Sequence, residues 1–170
     1  MPGGGCAPPP RSYPRHYVPG IMTEVRFYHL QRANLDRVLP VMLSRVLERG
    51  QRAVVQLGSQ ERLDALNDWL WSYDAGSFLP HGGPAEGHPA EQPVWLTLEE
   101  ERPNGGEVLF LADGAESAKT AEFELVAELF DGNDEAAVSA ARSRWKTYKD
   151  AGHEVTYWQQ DDSGRWQQKA

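Results

Sequence analysis

The stretch VRFYHLQRANLDRVLPVMLSRVLERGQRAVVQL, Val25 to Leu57, decides the fold class. It opens with Val25 to Leu30, a β-branched and aromatic run that reads as a strand. Asn34 is placed to cap a helix in which Leu35, Val38, Leu39, Met42, Leu43, Val46 and Leu47 recur at helical spacing until Gly50 stops the pattern. Pro40 is the discord. Inside a helix it removes an amide donor, so it should either kink this helix or mark its real first turn. Ala53 to Leu57 (AVVQL) follows as a short apolar strand. Strand, amphipathic helix and strand in that order make a βαβ unit, which lays the two strands parallel in one sheet.

Downstream, Ser59 is placed to cap a second helix bearing Leu63, Leu66, Trp69 and Leu70, and residues 72–87 become turn-rich. Val94 to Leu98 and Val108 to Leu111 read as strands on either side of the polar loop EEERPNGG. Phe123, Leu125, Ala127 and Leu129 alternate with Glu122, Glu124 and Glu128, the period of a strand with one face in water. Asn133 is expected to cap a third helix, with Asp134 and Glu135 in its first turn and Gly152 at its end. The segments VTYWQQ and RWQQ, separated by DDSG, predict a terminal hairpin. The sum is an α/β fold of three layers, α/β/α, with a mostly parallel central sheet, formed by a single domain over residues 22–170. Residues 1–21 hold six of the twelve prolines and four of the sixteen glycines with no apolar period, which predicts a disordered extension.

Composition narrows the function. A chain of 170 residues with 40% hydrophobic and 25% charged residues has the make-up of a globular protein with one core. A net charge of −8 argues against a broad nucleic-acid surface, so contact with DNA should be local or indirect. The single cysteine, Cys6, excludes an intrachain disulfide; with no apolar run near the length of a membrane span, this predicts a cytoplasmic protein.

Chemistry is scarce. The first strand-to-helix connection is QRAN, where a dinucleotide site would need its glycine fingerprint, and no phosphate-binding loop with its lysine occurs. His81 and His88 are spaced unlike metal ligands, and Glu99 to Glu101 read as a solvated loop. Neither a catalytic set nor a cofactor is expected. A small nucleotide- or metal-dependent enzyme built on those residues is the rival reading.

Two constellations stand out. Between Ala136 and Lys149 there are four bases and no acid. At about 100° per residue, Val138, Arg142, Trp145 and Lys149 share one helical face with Lys146 beside them, while Ala137, Ala141, Arg144 and Tyr148 turn away. This is either a basic helix end with a packed tryptophan or a dock for a short acidic peptide, in which arginine grips a carboxylate and Trp145 walls an apolar side chain. The second is LWSYDAGSFLPHGG, Leu70 to Gly83, whose Trp71, Tyr73, Phe78 and Leu79 make either a core plug or a partner patch.

At these constellations the sequence resembles the chi subunit of bacterial DNA polymerase III, a small clamp-loader accessory protein. The likeness runs from Met22 to about Trp166. It is carried by FYHL after Met22, by LW and SFLPHG, by FELVAELFDGND, and by ARSRWKTYKDAGH ending in VTYWQQ. The resemblance implies a Rossmann-like fold with no nucleotide site and no catalytic activity. It also implies that the basic helix receives the acidic, phenylalanine-ending C-terminal tail of single-stranded-DNA-binding protein, through Arg142, Trp145 and Lys146, with Lys149 beside them. Val138 stands where some members use a further basic residue. Trp71 and Phe78, with Leu79, match the surface that binds the psi subunit of the clamp loader or, in its place, a repair helicase. DNA would then be reached indirectly, through these partners.

Overall fold

The computed structural model describes residues 23–73 and 79–170; the expected extension, 1–21, lies outside the described residues. Seven strands form one sheet: β1 (Glu24–Leu30), β2 (Ala53–Gln56), β3 (Val94–Thr97), β4 (Val108–Leu111), β5 (Leu125–Asp131), β6 (Glu154–Gln160) and β7 (Trp166–Gln168). Their order is β3-β2-β4-β5-β1-β6-β7. Every pairing is parallel except β6 with β7, the expected terminal hairpin. The helices are α1 (Leu35–Glu48), α2 (Gln60–Ser72) and α3 (Glu135–Asp150).

The two-residue period of the strands assigns the layers. Tyr28, Leu30, Val55, Phe110, Ala127 and Leu129 join Leu39 and Leu43 of α1 and Leu66 and Leu70 of α2 in one core. Val25, Phe27, Val54, Leu109, Val126 and Phe130 join Ala141 and Tyr148 of α3 in the other. The sheet is thus covered by α1 and α2 on one face and by α3 on the opposite one, the three-layer α/β fold that the sequence predicts. Leu39, Leu43 and Leu66 are fully buried, and truncating any of them to alanine would cost about 2–5 kcal/mol.

Pro40 does not mark the first turn of α1; it sits within the helix, whose N-cap Asn34 accepts from the Arg37 amide. A proline there leaves the carbonyl four residues back, that of Asp36, without its helical donor. The Trp69 indole of α2 supplies one, donating Nε1–H to the Asp36 oxygen at 2.6 Å. The proline is tolerated because the neighbouring helix satisfies what it leaves open, and the same bond pins α2 to α1.

Two expectations need correction. The N-cap of α3 is Asp134, not Asn133: its side chain accepts from the Ala136 and Ala137 amides at 2.9 and 3.3 Å, and an aspartate there also suits the helix dipole. Nor does β5 keep a wet face. Glu128 is 1% exposed, because α3 covers that side of a central strand.

Candidate partner-binding faces

The burial of Glu128 organises the α3 layer. An isolated buried carboxylate is costly, so its partners must lie within reach. Arg144 donates Nε–H to both oxygens at 3.1 Å, and the Tyr148 hydroxyl donates to Oε2 at 2.8 Å. Desolvation still pushes the Glu128 carboxyl up to about 7, against the pull of Arg144 and Tyr148, and the buried Tyr148 phenol is pushed up beside it. Both partners lie on one stripe of α3, four residues apart, so the knot fixes the rotation of the helix about its own axis.

That rotation leaves Arg142, Lys146 and Lys149 exposed. None of the three forms an ion pair with a carboxylate among the described residues. Trp145 lies half-buried between them, its ring 5.5 Å from Phe27 and 6.4 Å from Tyr157, with the Lys149 ammonium 5.4 Å from the ring centroid. Val138, also half-buried, lies on the same side of the helix and packs against the same core. The structure therefore brings together Val138, Arg142, Trp145, Lys146 and Lys149. A rigid indole anchored from below and ringed by unpaired cations can take a carboxylate and an apolar group at once.

The second constellation divides. Trp71, near the end of α2, is 54% exposed, with its ring 4.5 Å from that of His81. Leu79 is 3% exposed and belongs to the α1/α2 core, so it anchors the segment and does not offer a side chain to a partner. Phe78 lies outside the described residues. His81, 3% exposed, donates from Nδ1 to the Leu79 carbonyl at 2.7 Å, which fixes the turn under Trp71.

The residues of the rival reading are put to other uses. His81 is buried, while His88 stands exposed beside Glu91 at 3.8 Å. Glu101 accepts from Trp95 Nε1 and Thr97 Oγ1 at 2.8 and 2.7 Å, and Glu100 accepts from the Ala118 amide at 3.0 Å, so these two acids tie their loop to β3 and to the segment after β4. A cleft of about 940 Å³ opens at the carboxyl ends of β1 and β5, where open α/β sheets commonly take ligands. There the helix amides that would cradle a phosphate already serve Asn34 and Asp134, and Arg62 and Arg144 are paired with Asp36 and Glu128.

Residues 22–156 match the family described as "DNA polymerase III chi subunit, HolC". The chain belongs to this family. By that description the family is one of subunits of DNA polymerase III, the replicative accessory class. A "Probable DNA polymerase III subunit chi" from Rickettsia prowazekii (strain Madrid E) is 26% identical over 98 residues, which cover 58% of this chain and 59% of that one. The chi-family match takes in β1 through α3 and the first part of β6, so both faces described above lie inside it. Among the described residues, no helix is long and apolar enough to cross a membrane.

Sequence reasoning found the stripe on α3 but missed what orients it. The signal was Glu128 itself, the one acid within the apolar stretch Leu125 to Phe130 of a central strand, sixteen residues before an arginine on the helix that follows.

Proposed function

We propose that this chain is a non-catalytic, cytoplasmic tether. The outer face of α3 binds the acidic C-terminal tail of single-stranded-DNA-binding protein, and the Trp71 face holds the clamp loader through a psi subunit. The observation that carries this reading is the set of unpaired cations around Trp145 in a protein of net charge −8, with the α3 rotation held by the Glu128 knot. Arg142 grips the terminal carboxylate in two-point fashion, Lys146 and Lys149 add charge, and the indole walls the last aromatic side chain. Val138 offers an apolar contact where a further cation would strengthen the dock.

Opposite placement of the two faces supports a bridge, since α2 and α3 lie on different sides of the sheet. A dock for one carboxylate and one side chain should bind in the micromolar range, about −8 kcal/mol, and tethering then raises effective concentration. A repair helicase is the second reading for the Trp71 face, since an exposed indole at a helix end can seat either partner.

The test is calorimetric titration with the last ten or so residues of the cognate single-stranded-DNA-binding protein, beside the same peptide lacking its final phenylalanine. Saturable micromolar binding of the first only is expected. Equal binding of both, or of neither, overturns the tail assignment.

A further inference from the structure

A second groove lies on the other side of the sheet, between one flank of α1 and the strands β1, β6 and β7. It has a volume of about 200 Å³. Met42 and Arg45 of α1, with Arg49 at its C-cap, form one wall, and Arg26, Trp158 and Trp166 of the sheet form the other. We infer that this groove binds single-stranded nucleic acid directly, one base entering against the aromatic wall while the arginines take backbone phosphates.

Three aromatic rings cluster there, Tyr28 buried beneath the two partly exposed indoles. Tyr28 is stacked with Trp158 at a centroid distance of 6.4 Å and meets Trp166 edge-on at 5.0 Å. The Trp158 indole donates Nε1–H to Thr156 Oγ1 at 2.8 Å, so its polar edge is satisfied within the protein and its position does not depend on a guest. Trp158 and Trp166 are only partly buried because, among the described residues, no helix covers the sheet beyond α1. Base stacking on such rings is sequence-tolerant, since every base has a π face.

Cations rim the same rings. The Arg26 guanidinium lies 5.4 Å from the Trp158 ring centroid and is held there by Glu24 at 2.6 Å. Arg45 and Arg49 are exposed, and neither forms an ion pair with a carboxylate among the described residues. In a chain with 25 acidic against 17 basic residues, three arginines about one aromatic groove are a local exception. Charge complementarity points to an anionic guest, and the partly exposed indoles of Trp158 and Trp166 point to a base in preference to a carboxylate alone. The expectation that DNA is reached only through partners is thereby extended by one short, direct contact. The inference does not rest on the tail reading, which concerns the opposite layer.

The test is fluorescence anisotropy of a labelled oligo(dT) of about 15 nucleotides with the full chain, across a range of salt. Saturable binding is expected, with log K falling against log salt at a slope of about −1.4, as two phosphate contacts to a single strand, from Arg45 and Arg49, require. Arg45→Glu with Arg49→Glu, both on exposed positions, should weaken binding by about ten-fold or more at low salt. Trp166→Ala should weaken it by about five-fold or more, and an abasic strand of equal charge should bind the unaltered protein correspondingly less well. Lys119→Glu, an exposed reversal away from the groove, is the control and should leave binding within two-fold or so. No binding at low salt, or binding indifferent to the arginine pair, overturns the inference. So does displacement of the strand by an acidic peptide whose own binding needs Arg45 and Arg49, because the groove would then be a peptide dock.

Discussion

The two helical layers solve one problem in different chemistry. On α2, Trp69 turns inward and Trp71 outward; on α3, Arg144 turns inward and Arg142 outward. Residues two apart on a helix point about 200° apart, so each layer carries a like pair, one member on either face. The inward tryptophan gives a neutral hydrogen bond to a carbonyl that Pro40 leaves open. The inward arginine gives a charge-assisted bond to a buried acid. In both layers the inward member's polar contact helps to fix the helix, and that fixing determines what its outward twin presents. The contacts differ in what they respond to: the Trp69 bond to a backbone carbonyl holds no titrating group, whereas the Arg144 bond is made to one.

The sharpest way to break this comparison is Arg144→Ala. It leaves Glu128 buried without its cation, and the expected loss is about 3 kcal/mol or more in urea unfolding. Arg142→Ala, two residues away, should change stability by no more than about 0.5 kcal/mol. Equal losses would erase the distinction between the inner and outer faces of α3.

The second prediction uses acid and base. The Glu128 carboxyl is raised in the fold from 4.5 to about 7, so between those values the folded state binds the extra proton. Its contribution to stability is fully present below about pH 4.5 and is lost as pH rises through 7, a change on the order of 3 kcal/mol. His29 is lowered by burial and acts with the opposite sign, gaining stability as pH rises. Comparison with Glu128→Gln isolates the first effect, since His29 is common to both proteins. Urea unfolding at pH 5 to 8 should show the unaltered protein losing stability relative to the variant as pH rises.

A smaller effect tests the neutral contact. Trp69→Phe removes the donor to Asp36 and should cost about 1–2 kcal/mol. In a Pro40→Ala background the helix regains its own amide, and the same change should cost less, by a coupling of about 0.5 kcal/mol or more. Additive losses would mean that the indole only packs.

Much of this was legible in the sequence because periodicity reports burial. The apolar stripe of α1, the strand segments and the outward set on α3 all follow from side-chain spacing alone. Position 128 was misread because alternation cannot tell a wet face from one covered by a later helix; that depends on α3 crossing over β5. The role of Trp69 depends on a carbonyl thirty-three residues away, which no local pattern displays. Leu79 was grouped with its aromatic neighbours, yet the turn held by His81 sends it into the core. The α1-side groove went unread for the same reason: Arg26, Arg45 and Trp166 meet only once the sheet is assembled.

The central claim is that the outward member of the α3 pair binds while the inward member holds the helix. Heats of binding of the tail peptide to the unaltered protein and to Arg142→Ala, at one pH and low salt, test it most directly. The account predicts a loss of about 1.5–3 kcal/mol, roughly ten- to a hundred-fold in Kd, with the unfolding midpoint of the variant unchanged. Unchanged affinity in a folded Arg142→Ala protein would contradict it.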